Sequence, residues 1–97
     1  MAKFICFLQN EKKENLTAEL IKSHIERLKY LKRDGVLFLC GLLKNNEGGM
    51  LILEVKSYEE AEAHILQDPL IINNCYGAYK IHELIEANEE NNYLQDN

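Results

Sequence analysis

Three separate stretches of this chain are apolar on both alternations of a strand. Between Lys3 and Leu8 run Phe4, Ile5, Cys6 and Phe7, with no polar residue among them. From Val36 to Leu43, one alternation carries Val36, Phe38, Cys40 and Leu42, the other Leu37, Leu39 and Leu43. From Met50 to Lys56, Met50 and Ile52 fall on one side and Leu51, Leu53 and Val55 on the other. A strand with one wet face alternates apolar with polar, so these segments read as strands covered on both faces. The chain has 97 residues, enough for one domain and few elements to do the covering.

Between the strands the period changes. Leu16, Leu20, Ile21, Ile25, Leu28 and Leu31 recur at helical spacing from Leu16 to Asp34, with Asn15 or Thr17 as the cap and Asp34-Gly35 as the stop. Asn45-Asn46-Glu47-Gly48-Gly49 has hairpin-turn composition. Ser57-Tyr58-Glu59-Glu60 is a capping box, in which Glu60 reaches back to the cap residue; it opens a second helix that runs to about Gln67 and stops before Pro69. Tyr76 to Ile85 reads as a fourth strand, with Tyr79, Ile81 and Ile85 on one face. The polar tail that follows is expected to fray, with Tyr93 and Leu94 as the residues able to dock.

The order is β-α-β-β-α-β. It predicts an α+β, ferredoxin-like fold: a four-stranded antiparallel sheet with two helices on one face. Residues 1–85 form the domain and 86–97 the acidic tail. Two helices cover one face of the sheet. The other, equally apolar, needs a cover of its own, and the simplest is a second copy, which predicts a homodimer through the open sheet face.

The formal charge of −5 is concentrated at the C-terminus: Glu86, Glu89, Glu90 and Asp96 fall in a tail without Lys or Arg, leaving twelve acids against eleven bases in residues 1–85. Nucleic-acid binding needs a basic face, and none is present. Lys22, Arg27, Lys29, Lys32 and Arg33 are interrupted by Glu26 and followed by Asp34, as on a solvated helix face. RNA-recognition domains share the element order, but their third strand carries a basic-aromatic signature, and here it reads Gly49-Met50-Leu51-Ile52-Leu53-Glu54-Val55. No apolar run reaches the ~20 residues of a membrane helix. The apolar start is short and no cleavage site follows it, so a cytoplasmic protein is expected. Cys6, Cys40 and Cys75 have neither metal-site nor disulfide spacing; Cys6 and Cys40 read as small buried hydrophobes and Cys75 as a loop residue near the surface, with nothing basic beside it to activate a thiol. No metal or cofactor is implied.

His24 lies four residues after Leu20 and four before Leu28, so it points toward the sheet or its margin. A polar group there needs a partner. Asp68, held before Pro69 at the end of the second helix, is within reach, because both helices lie on the same face. A carboxylate on one imidazole nitrogen sets the tautomer and leaves the other nitrogen to exchange a proton. His64, beside Glu60, reads as solvated, and His82, on the less apolar side of the last strand, as a surface or interface residue.

Taken in order, His24-x-x-x-Leu28-x-x-Leu31, Gly35-Val36-Leu37, Gly41, Ser57-Tyr58-Glu59-Glu60-Ala61, Asp68-Pro69 and Tyr76 resemble the YciI-like family across residues 3–85. The resemblance implies a dimeric α+β barrel related to muconolactone isomerase. It implies His24 and Asp68 as the catalytic pair, with Gly41 and Tyr76 at the substrate. Some relatives of that family act on aromatic-degradation intermediates, one as a dehydrochlorinase. Three positions and one loop depart from the pattern: Ile21 replaces an arginine, Leu42 replaces the proline after Gly41, Asn74 replaces a glycine, and the loop Lys44 to Gly49 is short. Two readings follow. One is a cofactor-independent isomerase or lyase, of dehydrohalogenase type, working through His24 and Asp68. The other is a non-catalytic dimeric module that binds a small ligand or serves an accessory role.

Overall fold

The computed structural model describes residues 1–95; Asp96 and Asn97 of the acidic tail lie outside the described residues. Four strands, β1 (Ala2–Glu11), β2 (Leu37–Leu42), β3 (Gly49–Val55) and β4 (Tyr76–Leu84), form one sheet in the order β2-β3-β1-β4. Every neighbouring pair is antiparallel, as the ferredoxin-like order requires. Strand β1 is longer than its apolar run. It is a central strand, and its ladder with β4 continues through Gln9 opposite Ala78 and Glu11 opposite Tyr76.

Helix α1 (Ala18–Arg33) starts at Thr17, whose side chain accepts a hydrogen bond from the Leu20 N–H at 3.1 Å, and ends with Lys32 and Arg33 in its last turn, where positive charge suits the helix dipole. Helix α2 (Tyr58–Leu66) is capped by Ser57, which accepts from the Glu60 N–H; the Glu60 carboxylate accepts from the Lys56 N–H, one residue earlier than expected. A third helix, α3 (Pro69–Ile72), corrects the two-helix expectation. Asp68 does not end α2. It caps α3, and Pro69 takes the first helical position, where a missing N–H costs nothing.

The core lies between the helices and one sheet face. Phe4, Cys6 and Leu8 of β1 and Leu51, Leu53 and Val55 of β3 are buried there with Leu31, Ala61, Ile65, Leu70 and Ile81. Burial pushes the Cys6 thiol up to about 12. The opposite face presents Ile5, Phe7 and Met50, half-buried, together with Ile52 and the exposed Leu39. On edge strand β2 only Leu37 is buried, and Cys40 is exposed, against expectation, because the space beneath this strand is an open cleft.

The β2–β3 turn imposes its own geometry. Asn45 and Gly48 have φ of 68° and 102°, and the Leu43 N–H donates to the Gly48 carbonyl at 2.7 Å. A Cβ on Gly48 would stand 2.0 Å from the Leu8 carbonyl oxygen, so both space and backbone require glycine. Gly48→Ala is expected to lower stability by on the order of 2–3 kcal/mol, read as a lower urea midpoint; an unchanged midpoint would contradict this placement of the turn.

After β4, Glu86 pairs with Lys3 at 2.5 Å. Glu89–Leu94 then forms a string of tight turns capped reciprocally by Asn88 and Asn91. Tyr93 and Leu94 do not dock; both remain exposed. Among the described residues no helix is long and apolar enough to cross a membrane.

Candidate functional site

Asp68 is 3% exposed and carries two duties. Its Oδ1 accepts the Leu70 N–H at 2.8 Å, capping α3. Both carboxylate oxygens also lie near the His24 ring in the middle of α1, at 3.0 and 2.9 Å from Nδ1. A carboxylate only accepts, so Nδ1 is the nitrogen that carries the proton and donates it. Nε2 is left for whatever enters the space beside the ring.

That space is a cleft of about 520 Å³ between α1 and the ends of the four strands, within the ~300–1,000 Å³ range of small-molecule sites. His24 lines it, with Ile21, Ile25 and Leu28 of α1 on one wall and Leu8, Cys40, Gly41, Leu42 and Leu51 of the sheet on the other. Ile21 and Ile25 are exposed, although they belong to the apolar stripe of α1, because they face the cleft and not the sheet. Leu42 is 83% exposed and lines the cleft beyond the short β2–β3 turn. Gly41 is in the wall; a Cβ there would meet nothing within 4 Å.

Tyr76, at the start of β4, is buried and also lines the cleft. The Tyr76 hydroxyl lies against β3 at Gly49, where a Cβ would stand 3.5 Å from it, an ordinary van der Waals contact. Burial pushes the Tyr76 phenol above its ordinary value, and the charges of Glu11 and Asp68 push the same way. Cys75 is buried, not at the surface as its sequence context suggests, and its thiol donates to the Asn15 carbonyl. Burial first, then Asp68 and Glu11, raise its pKa, the opposite of thiolate activation. Asn74 has φ of 57°, a left-handed conformation that glycine adopts freely and asparagine tolerates, so its replacement of a glycine preserves the turn into β4.

Sequence reasoning did not place Glu11, Lys13, Gly49 or Leu70 at the cleft. Glu11 carries no local sequence signal; its register opposite Tyr76 on β4 brings it there. His64 is not the solvated residue expected. It is half-buried, its Nδ1 and the Arg27 Nε are buried without a hydrogen-bond partner among the described residues, and Arg27 Nη2 donates to the His64 carbonyl at 3.0 Å. Burial, and then the Arg27 charge, hold its pKa below the ordinary histidine value. His82 is exposed on the open sheet face, edge-on to Phe7. Among the described residues no three of His, Cys, Asp and Glu converge as a metal site.

The family model of the YCII-related domain matches residues 2–85. No curated protein matches the sequence. Among solved structures, the chain is similar to 5-chloro-2-hydroxyhydroquinone dehydrochlorinase (TftG) from Burkholderia phenoliruptrix AC1100, in complex with 2,5-dihydroxybenzoquinone: TM-score 0.71, 17% identity, covering 93% of this chain and 98% of that one. It is also similar to MtbAldR, at TM-score 0.54 and 9% identity, covering 88% of this chain and 53% of that one. At these identities the likeness is one of fold.

Proposed function

The chain belongs to the YCII-related domain family, and from that premise we propose that it is a small-molecule enzyme of proton transfer, an isomerase or a lyase of dehydrohalogenase type, working through His24 and Asp68. The observation that carries this reading is the buried Asp68 carboxylate bonded to His24 Nδ1 beside an apolar cleft. In it, Nε2 takes a proton from a carbon next to a carbonyl. Asp68 keeps the ring oriented and stabilises the imidazolium that forms. Tyr76, whose proton burial holds more firmly, donates to the oxygen on which charge develops. The imidazolium then returns the proton at another carbon, completing an isomerisation, or the electron pair expels a leaving group, completing an elimination. Neither route needs a cofactor. The dehydrochlorinase named among the similar structures catalyses a reaction of the second type.

The test is deuterium incorporation. In D₂O, a panel of enolisable cyclic ketones is expected to exchange α-protons faster with the protein than in buffer, read by proton NMR. No exchange in any member, together with a thermal shift from the same compounds, would overturn the enzyme reading in favour of the non-catalytic binding module.

The same reading takes the protein to be a homodimer joined through the open sheet face, since Ile5, Phe7, Met50 and Leu39 have no covering element among the described residues. Sedimentation velocity at micromolar concentration is expected to give twice 11.3 kDa. A single 11.3 kDa species would contradict it.

A further inference from the structure

The charges around the cleft are arranged to repel a negative ligand. Glu11 lines it, and the Asp68 carboxylate stands directly behind His24. Lys13 is the cation of the lining, but it sits on an exposed turn with its charge in water. Ile21, three residues and about one turn before His24, presents an aliphatic side chain where a cation would have direct access to a ligand.

We infer that the cleft takes its ligand uncharged: an apolar, ring-sized carbonyl compound or un-ionised phenol, with carboxylates and phenolates of the same shape excluded. The inference rests on the proposed use of the cleft as a small-molecule site and adds the charge of the molecule it accepts. Two groups already in place report the same field. The Tyr76 phenol and the Cys75 thiol are both made harder to ionise, each by burial first and then by Glu11 and Asp68. An anion brought into the cleft beside Tyr76 meets the same two penalties, desolvation and like charge, and among the described residues of the lining the one Lys or Arg side chain is that of the exposed Lys13. A neutral ring meets neither and gains the apolar contact of Ile21, Ile25, Leu28 and Leu42.

Acetophenone and benzoate share a ring and differ in charge, which makes them suitable probes. Amide-shift titrations of the full chain at neutral pH are expected to show acetophenone moving residues around Ile21, Leu70 and Tyr76, with an apparent Kd at least tenfold below that of benzoate. In Ile21→Arg, a substitution at an exposed helical position, benzoate is expected to gain at least tenfold and acetophenone to weaken. Benzoate binding the wild-type cleft as tightly as acetophenone would overturn the charge inference and leave the ligand site standing. An unchanged preference in a folded Ile21→Arg would likewise overturn the role of Ile21. If neither probe perturbs the cleft, the inference and the proposed function fall together.

Discussion

His24→Ala is expected to lower protein-dependent deuterium exchange by roughly 10²–10⁴-fold, the usual contribution of a positioned acid–base group. That range corresponds to about 3–5 kcal/mol of barrier. The fold is expected to survive. The His24 side chain is 18% exposed at the cleft wall, so its loss enlarges a space already open to water and leaves no sealed cavity. Asp68 keeps the Leu70 N–H as a partner. The amide spectrum and the unfolding midpoint separate lost chemistry from lost structure. A rate equal to wild type in a folded His24→Ala would remove the histidine from the mechanism.

Asp68→Ala is expected to damage both fold and activity, because one carboxylate serves α3 and His24 together. Removing the cap costs about 0.5–2 kcal/mol, and stranding the imidazole donor in a partly buried site adds about 1–3. A combined loss of roughly 2–4 kcal/mol lowers the melting temperature of a chain this small by on the order of 15 °C. Asp68→Asn separates the two effects. Its amide oxygen still caps α3, while its NH₂ group, turned toward His24, favours an imidazole that accepts at Nδ1 and so carries its proton on Nε2. Stability is expected to fall by less than in Asp68→Ala, and exchange by a similar factor. Asp68→Ala melting as wild type would show that the carboxylate holds neither group.

The pairing of these two residues was legible because its determinants are local. Leu20, His24 and Leu28 share one side of α1 by spacing alone, and Asp68-Pro69 halts the chain on the same face of the sheet. The helix that Asp68 caps is not legible: a proline at this point reads as a stop to α2, although it equally suits the first position of a new helix. The cysteines came out exchanged, Cys40 exposed and Cys75 buried, for a related reason. Apolar neighbours show that a segment is a strand, but they do not show which strand becomes an edge over an open cleft. The full length of β1 was hidden as well, since Gln9 and Glu11 are polar in their side chains yet pair through their backbones with β4. Glu11, Lys13 and Gly49 reach the cleft only when strand ends far apart in sequence meet, a long-range event that no local pattern encodes.

The central claim is that His24 and Asp68 act as one unit, and a double-mutant cycle on exchange rate, normalised to folded protein, addresses it directly. If the carboxylate acts through the imidazole, it has nothing to act on once the ring is gone. The doubly substituted protein, His24→Ala with Asp68→Ala, is then expected to exchange within about threefold of His24→Ala alone. A double variant slowed by the product of the two single losses would show two independent contributions and contradict the account.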